Sequence, residues 1–414
     1  MKNIVFLVGS YYPNYSAVGR CQGNLADEFE KRGYNVTVIA QSTVSNEAKE
    51  EYLEKQHIIR VKTKDLEGDR ICREQLKKGK KEYWLKHKLY QLKRVFKIVF
   101  SKTSLDKALV KAYSNALEGL DINPDLIIPT CQPFETVAAA MEYIKLNSNC
   151  NIIPVLYDLF AESRTLHRFG WNRSIKMKAN LLLEKNMVDF CTSILHMPGW
   201  NRCFEKYDTK KIIKIEHPLI VNPKLTSKAL KCTENNKRGI DLLFAGSLIE
   251  NYVDPDYLLE FVKKCEKINK IDFYSSGSAY GKVLSCVSEK VKGLGWISHG
   301  DLLEKMQEAD VLVNIAEVSG KQISSKIFEY MSMGKAILHI YHSDSDINLE
   351  YLRKYPKAYC IKADLETMEK EIEGFSKWCM KTSFLALGFD AVSEIFIEMT
   401  PKYICDILVK AGGV

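Results

Sequence analysis

The sequence predicts an α/β protein built from two doubly wound domains, in each of which helices cover both faces of a mostly parallel sheet. Three observations support this fold class. The chain has 414 residues, a length typical of two or three domains. Its composition, with 46% hydrophobic and 27% charged residues, is that of a globular protein and argues against a disordered or fibrous chain. Short β-branched apolar runs alternate with longer helical stretches, which is typical of buried parallel strands.

These runs form two series, separated by a polar interval at residues 223–239 in which hydrophobic periodicity fades. The strands of the first series are predicted at residues 4–8, 36–39, 58–61, 126–128, 152–156 and 212–215. Those of the second are predicted at residues 242–245, 271–274, 311–315, 336–340 and 358–361. We therefore assign a first domain to residues 1–222 and a second to residues 223–383, and we expect a helical segment at 384–414 to return to the first domain. A ligand is expected in the cleft between the domains, beyond the carboxyl ends of the strands.

The positive charge of the chain is concentrated in one segment. The whole sequence has a formal net charge of +8, whereas residues 70–111 hold fourteen basic and three acidic residues, which leaves −3 for the remainder. Apolar residues recur there at steps of four and three, and so predict one face of a helix: Leu85, Leu89, Leu92, Phe96 and Val99. Basic residues lie off this face: Lys86, Lys93, Arg94 and Lys97.

Two interpretations of this basic amphipathic helix stay open. Either its apolar face packs on its own domain and its lysines face solvent, or the helix attracts the protein to an anionic membrane surface. Each basic residue close to such a surface contributes about 1 kcal/mol. Nucleic acid is not expected as a partner, because no recognition motif accompanies the charge.

The cysteine and histidine patterns argue against a metal site. The twelve cysteines are scattered singly without a CxxC pair, and the histidines show no HExxH-like spacing. Free buried thiols indicate a reducing compartment. No run reaches the roughly 18 to 20 apolar residues that a membrane-spanning helix requires. We therefore expect a cytoplasmic protein, either free or peripheral on the inner face of the cell membrane, that uses neither a metal nor a cofactor.

Two segments could bind an anion at the start of a helix. The first predicted strand runs into a loop at residues 9–20, where Ser16, Gly19 and Arg20 are candidates for an acceptor or phosphate loop, because a helix N-terminus presents free backbone N–H groups. An ordinary strand-to-helix loop explains this segment equally well.

The second segment, residues 324–331, follows a predicted strand and ends before Gly334. Ser324 and Ser325 are predicted to cap a helix and to leave its first amides free for phosphate oxygens, with Lys326 adding a point charge. One turn further, Glu329 could accept hydrogen bonds from the hydroxyls of a ribose. A capped surface helix is the alternative.

These segments occur in the order seen in GT-B glycosyltransferases of family 4, which the chain resembles from about residue 5 to 340. The resemblance rests on YYPNYSAVGR, RGYNVTVI, DLLFAGSL, GLGWISHGDLLEKMQEADVLVNI and SSKIFEYMSMGKAIL. It implies two Rossmann-like domains and a nucleotide diphosphate sugar, most often a UDP-sugar, as the donor. By position, the implied donor-binding residues are Gly246, Ser247, Trp296, Ser324, Ser325, Lys326 and Glu329. In the family, the glycine contacts the pyrophosphate, the segment with Trp296 contacts the base through its backbone, and the glutamate binds the ribose.

A further segment, YDLFAES at residues 157–163, is similar to the DLWPES stretch of the subgroup that adds sugars to lipid-linked bacterial glycans. The resemblance therefore implies a hexosyltransferase acting on a membrane-associated glycan in cell-surface polysaccharide synthesis, with Asp158 facing the reaction centre and Glu162 as a second carboxylate. The two carboxylates would share a face only if this segment were helical.

The chain departs from the family pattern at three positions, one of which is Tyr157, where many members have histidine. Lys321 occupies the place of the first glutamate of a family pair, eight positions before Glu329, and Ser247 replaces a frequent arginine. Positive charge at the pyrophosphate would then come from Lys326, Lys321 or Lys282. The departures favour, as the alternative function, a catalytically silent member that acts as a partner or chaperone of another transferase. A nucleotide-sugar epimerase is a third reading.

Overall fold

The computed structural model describes residues 1–13, 15–44, 47–147, 149–163, 169–205, 207, 209–223 and 239–414. Two compact units are formed, one by Met1–Pro218 with Glu398–Val414 and the other by Leu219–Ile397. The interval predicted to separate the domains, residues 223–239, lies outside the described residues except at its two ends. The returning segment begins at Glu398 rather than at residue 384, since residues 384–397 belong to the second unit.

The first unit contains a six-stranded sheet, a three-stranded sheet and helices around them. Its strands are β1 Asn3–Ser10, β2 Asn35–Gln41, β3 Glu50–Leu53, β4 Gln56–Val61, β5 Leu126–Pro129, β6 Asn151–Ile152, β7 Val155–Leu156, β8 Ile194–His196 and β9 Ile212–Lys214. Its helices are α1 Ala17–Lys31, α2 Lys64–Lys77, α3 Tyr83–Phe100, α4 Lys107–Glu118, α5 Glu135–Leu146, α6 Gly170–Phe190 and α7 Asn201–Phe204.

The larger sheet has the order β3-β4-β2-β1-β5-β6, with every pair parallel except β3 and β4. The strand order reverses beside β1, which is the doubly wound arrangement. The predicted strand at residues 152–156 is divided between two sheets, because Pro154 has no N–H to donate to a ladder. The edge strand β3 was not predicted, since Glu50–Leu53 carries two glutamates and lacks an apolar run.

The second unit contains one six-stranded sheet in which every pair is parallel, with the order β12-β11-β10-β13-β14-β15. Its strands are β10 Ile240–Ser247, β11 Ile268–Ser276, β12 Val291–Gly293, β13 Val311–Ile315, β14 Ala336–Tyr341 and β15 Ala358–Lys362. Its helices are α8 Asp256–Lys264, α9 Tyr280–Ser285, α10 His299–Glu308, α11 Ser325–Ser332, α12 Asn348–Leu352, α13 Met368–Lys381 and α14 Phe389–Ile395. The order reverses beside β10, so the predicted fold class of two doubly wound sheets is confirmed.

The last helix, α15 Pro401–Gly412, packs on the first unit. Its N-terminus is capped by Thr400, whose hydroxyl accepts from the Tyr403 N–H. On its surface, Asp406 forms an ion pair with Arg32 of α1 at 2.7 Å, and the Gly412 carbonyl accepts from the Asn151 amide at 2.9 Å. The C-terminal helix therefore returns to the first unit, as the sequence predicts.

Candidate functional site

A lysine side chain lies against a glycine at the carboxyl end of β10, beside the switch in strand order of the second unit. Gly246 has φ +138°, a conformation that side chains disfavour, and a Cβ built there would lie 1.7 Å from Nζ of Lys326. Lys326 is the second residue of α11. The glycine therefore provides the space in which the ammonium group lies, at the edge of the sheet where such folds bind ligands.

The Lys326 ammonium group is a desolvated cation. Its Nζ lies 5.2 Å from the centroid of the Phe244 ring, and within the described residues no carboxylate forms an ion pair with it. Burial lowers the pKa of Lys326 to about 8, against the opposing charge of Glu329. A buried cation of this kind gains free energy when an anion approaches, which makes it suited to an anionic ligand.

The other two lysines considered from the sequence are placed differently. Lys282 forms two ion pairs, with Asp254 and Asp256 at 2.7 Å each, and these carboxylates raise its pKa well above its usual value. Lys321 is exposed, and its backbone N–H donates to the carboxylate of Glu317. Of the three, Lys326 is the lysine that lies at Gly246.

The start of α11 differs from the prediction in the role of one serine. Ser324 is the residue before the helix, but its hydroxyl makes no capping hydrogen bond. Instead the hydroxyl donates to Asn314 Oδ1 at 2.8 Å, and the Ser324 N–H donates to Asn348 Oδ1 at 2.8 Å. Because both of its donors are used, Ser324 has none left for a phosphate oxygen. Ser325 is exposed at the first helical position, where backbone N–H groups are free of intrahelical partners.

Ser324 belongs to a buried polar network that the sequence did not reveal. The Asn314 amide lies 2.9 Å from His339 Nδ1, and His339 Nε2 lies 3.4 Å from Asp346 Oδ2. The other oxygen of Asp346 accepts from the backbone and side chain of Asn348. Although burial acts to raise it, the nearby His339 and the hydrogen bonds from Asn348 hold the pKa of Asp346 below its usual value. This network fixes the start of α11 against the ends of β13 and β14.

The acidic residue expected to bind ribose has a partner directly after the segment expected to contact the base. Glu329 Oε1 lies 2.7 Å from Nε2 of His299, the first residue of α10. Trp296, in the preceding loop, has 79% of its surface exposed, so its side chain is not held by packing. The structure thus brings Glu329 and residues 295–299 together. Sequence reasoning missed His299, although it directly follows the segment assigned to the base.

Ser247 and Glu317 also lie at the carboxyl ends of the central strands. Ser247 is exposed at the end of β10. Glu317 follows β13, and its carboxylate accepts from the backbone N–H groups of Ser319, Lys321 and Gln322. Although burial acts to raise it, these hydrogen bonds lower the pKa of Glu317. An acidic residue is therefore present in this loop, but it binds the loop's own amides.

In the first unit, the start of α1 is built by close backbone packing. The Ser16 hydroxyl caps the helix by accepting from the Gly19 N–H at 3.0 Å. A Cβ at Gly19 would lie 1.9 Å from the carbonyl oxygen of Ser10, so only glycine allows α1 to approach the end of β1. Arg20 is exposed beside it.

Asp158 lies after β7 and close to this helix start. Its backbone carbonyl accepts from Cys131 Sγ at 2.7 Å and from Trp200 Nε1 at 3.2 Å, while its carboxyl group is at the surface, where partial burial raises its pKa. The preceding residue, Tyr157, accepts from the side-chain amide of Gln22 in α1 at 3.5 Å, so this segment lies beside α1.

Glu162 does not share a helical face with Asp158. Residues 157–163 form bends and a turn rather than a helix, so the spacing of four places the two carboxylates on no common face. Glu162 is exposed.

The basic segment forms a helix whose orientation excludes one of the two interpretations. Helix α3 contacts α2 through the half-buried His87 and Tyr90, and His87 lies 2.8 Å from Asp69. Lys93 and Lys97 each lie 2.5 Å from a carboxylate oxygen of Asp65, although both lysines are themselves exposed. The predicted apolar face points away from α2. Its exposed fractions are 61% for Leu85, 56% for Leu89, 65% for Leu92 and 61% for Phe96. Four of the five residues of the predicted apolar face are therefore exposed, Val99 is half-buried, and the basic residues Lys86 and Arg94 are exposed as well.

Comparison with solved structures supports the predicted fold. Sucrose-phosphate synthase from Thermosynechococcus elongatus matches with a TM-score of 0.59 at 11% identity, over 99% of this chain and 98% of that chain. The catalytic domain of starch synthase IV from Arabidopsis thaliana, bound to ADP and acarbose, matches with a TM-score of 0.57 at 9% identity over the whole of both chains. HepE from Anabaena, in complex with UDP, matches with a TM-score of 0.51 at 13% identity over 100% of this chain and 98% of that chain.

The chain has the GT-B fold. These neighbours are GT-B glycosyltransferases, and the likeness extends over nearly the whole of each chain. No protein-family model matches the sequence, and no curated protein matches it significantly. Among the described residues, none of the helices is both long enough and apolar enough to cross a membrane.

Proposed function

We propose that the protein is a glycosyltransferase of family 4 that moves a sugar from a nucleotide diphosphate sugar, most often a UDP-sugar, to a hydroxyl of a membrane-associated or lipid-linked glycan. The observation that carries this proposal is the position of Lys326 at Gly246, in one helix with Glu329 and the free amide of Ser325. The cation and the helix N-terminus suit the diphosphate of such a donor, and the Glu329 carboxylate suits its ribose.

The chemistry of sugar transfer explains why a buried cation is useful. The bond from the anomeric carbon to the diphosphate oxygen breaks, and negative charge develops on the departing diphosphate. Lys326 and the first amides of α11 would stabilise that charge, and a partly desolvated cation does so more strongly than one in water. These groups would supply the positive charge that many family members obtain from an arginine at the position of Ser247.

For the same reason we propose that transfer needs no divalent metal. Activity should persist in EDTA, because Lys326 and the helix amides stabilise the leaving group. Loss of activity in EDTA that magnesium or manganese restores would contradict this.

We propose that the first unit binds the acceptor near the start of α1. Asp158, with its raised pKa, is suited to accept the proton of the attacking hydroxyl, and the adjacent Tyr157 contacts Gln22 of α1. Asp158→Asn should then abolish transfer while leaving donor binding unchanged, whereas Glu162→Gln should have a smaller effect, since Glu162 shares no face with Asp158.

We also propose that α3 binds the protein to an anionic membrane surface. Its exposed apolar face and the fourteen basic residues of segment 70–111 are suited to the lipid-water interface. Lys93 and Lys97 hold α3 on α2 through Asp65, so a test should spare them. Replacing Leu89 and Leu92 by serine should release the protein from phosphatidylglycerol vesicles without changing nucleotide binding; persistent binding would contradict the proposal.

The donor assignment is tested by a thermal-shift panel of UDP-, GDP- and ADP-sugars, followed by calorimetry with the best ligand. Glu329→Ala should abolish binding, His299→Ala should weaken it, and Glu260→Ala, on the exposed face of α8, should not change it. Unchanged binding by Glu329→Ala would refute the ribose assignment.

A catalytically silent partner of another transferase is the second candidate, favoured by Lys321 and Ser247 in place of two charged family residues. Such a partner would show neither a thermal shift with UDP nor slow hydrolysis of a donor sugar. An epimerase would convert the donor sugar without an acceptor, which product analysis would detect.

A further inference from the structure

A second helix of the first unit also exposes an apolar face. In α6, the exposed fractions are 53% for Trp171, 72% for Ile175 and 57% for Leu182. These residues recur at steps of four and seven, which places them on one face of the helix. Lys178 and Lys185 are also exposed, and each lies three residues after an apolar residue of this face, Ile175 and Leu182. The face therefore carries both apolar and basic side chains.

The opposite face of α6 is buried. Its buried residues are Asn172, Lys176, Asn180, Glu184 and Met187. An amphipathic helix in a globular protein normally buries its apolar side chains. Helix α6 does this in part, since Met177, Leu181, Leu183, Met187 and Val188 pack on the core of the first unit. Trp171, Ile175 and Leu182 nevertheless stay exposed, as most of the apolar stripe of α3 does.

The buried face of α6 is joined to the end of α3. Nζ of Lys176 lies 2.8 Å from the hydroxyl of Ser101, which directly follows α3. The side chain of Asn180 both donates to the Ser104 hydroxyl at 2.9 Å and accepts from the Ser104 N–H at 3.0 Å. These hydrogen bonds hold α6 next to the end of α3. The two helices that expose apolar side chains are therefore neighbours in one unit.

We propose that α6 is a second membrane-binding element, and that the first unit contacts an anionic bilayer through α3 and α6 together. This inference rests on the proposed membrane binding of α3. Charge complementarity favours the bilayer as the occupant: α6 holds four basic residues against two acidic ones, and the neighbouring segment 70–111 holds fourteen against three. Exposed tryptophan, isoleucine and leucine side chains can enter a lipid-water interface while neighbouring lysines contact anionic headgroups.

Two membrane contacts would fix the orientation of the first unit on the surface, which one contact does not. A protein bound through α3 alone can rotate about the axis of that helix, whereas a second contact removes this freedom and gives the first unit one orientation on the surface. Helix α6 begins at Gly170, shortly after Asp158 along the chain. The proposed acceptor region would thus be held at a defined orientation to a lipid-linked acceptor.

The test measures tryptophan fluorescence on vesicles of phosphatidylglycerol and phosphatidylcholine whose acyl chains carry bromine, which quenches nearby indoles. We expect the wild type to be quenched and Trp171→Phe to lose a distinct part of that quenching. Trp84→Phe, at the start of α3, should lose another part. The matched control is Trp296→Phe, because Trp296 is more exposed than either but belongs to the second unit; it should lose none.

A second variant tests affinity. Replacing Trp171, Ile175 and Leu182 by serine should weaken vesicle binding at least about tenfold, since interfacial helices bind in proportion to their buried apolar area. Circular dichroism and an unchanged UDP affinity control for folding. A dimer in solution that the same variant dissociates would overturn the proposal in favour of a second copy of the chain.

The outcomes separate the two proposals. If Trp84→Phe loses quenching and Trp171→Phe does not, α6 lies off the bilayer and this inference is wrong, while membrane binding by α3 stands. If the wild type is not quenched at all, both are wrong.

Discussion

Each unit places a glycine where strand order reverses, but the two glycines make room for different things. Gly19 in the first unit makes room for a backbone carbonyl, since a Cβ there would lie 1.9 Å from the oxygen of Ser10. Gly246 in the second unit makes room for a side chain, since a Cβ there would lie 1.7 Å from Nζ of Lys326. One glycine therefore serves the packing of a helix on a sheet, and the other serves the placement of a charge.

The same position in the doubly wound fold thus serves helix packing in one unit and the placement of a charged side chain in the other. A backbone carbonyl at the end of a strand cannot move away from an added methyl group, whereas the end of a lysine side chain can. Substitution of Gly19 is therefore expected to affect folding. Substitution of Gly246 is expected to affect binding and also to lower stability, because a side chain disfavours φ +138°.

The largest effects are expected from Gly19→Ala and Gly246→Ala. Gly19→Ala should lower the free energy of unfolding by about 3 kcal/mol, as severe packing changes do, and leave the UDP affinity of the folded fraction intact. Gly246→Ala should displace the Lys326 ammonium group and weaken UDP binding roughly tenfold to a hundredfold, the effect of losing one hydrogen bond to a charged group. Denaturant unfolding and calorimetry measure the two effects.

The control for both is Gly281→Ala, because no other atom lies within 4 Å of a Cβ built at that position. A Gly246→Ala protein that binds UDP normally would show that the position of Lys326 does not matter.

An intermediate effect is expected from pH. The pKa of Lys326 in the folded protein is about 8, below that of a lysine in the unfolded chain, so the unfolded state binds more protons between about pH 8 and 10.5. The free energy of unfolding should therefore rise with pH across this window, while UDP affinity falls as the ammonium group loses its proton. Burial gives Lys335 a pKa of about 8 as well, so the slope must be taken as the difference between wild type and Lys326→Met.

Lys326→Met should bind UDP weakly at every pH and should lack the decline seen in the wild type. A wild-type affinity that is constant from pH 7 to 10 would argue against a role for the Lys326 charge.

The smallest effects separate two adjacent serines. Ser324→Ala leaves the buried Asn314 oxygen without its donor and should lower the free energy of unfolding by about 1–2 kcal/mol. Ser325→Ala removes an exposed hydroxyl and should change stability by less than about 0.5 kcal/mol. Equal stabilities would mean that the network around Asn314 does not hold the start of α11.

Much of the fold could be predicted from sequence, because buried parallel strands are continuous apolar runs. All strands of the second sheet except the short β12 were predicted near their observed bounds. Three strands of the first unit were predicted wrongly or missed. Pro154 divides one predicted strand, β3 has no apolar run to reveal it, and the three-residue β8 was missed because it is so short.

The site was predicted less completely, since it depends on which side chains meet across the fold. The positions of Lys326 and Glu329 on one helix followed from spacing. The partner of Glu329, His299, lies 30 residues away in the chain, and no local pattern pairs them. Asn314 and His339 left a weak signal, as single polar residues in otherwise apolar strands.

For helix α3, too, local periodicity did not reveal the contacts with other elements. Periodicity correctly placed its apolar residues on one face, but it does not say which face a helix turns toward its own domain. The orientation of α3 depends on Asp65 and Asp69 of α2, because these carboxylates attract Lys93, Lys97 and His87.

The most direct test of the donor site is calorimetric titration of UDP and UMP into the wild type and Lys326→Ala. If Lys326 binds the diphosphate, the substitution should weaken UDP binding at least about tenfold and change UMP binding much less, since a charge-assisted hydrogen bond to the second phosphate is lost. Equal losses for the two nucleotides, or no loss for UDP, would contradict the assignment of Gly246 and Lys326 to the pyrophosphate.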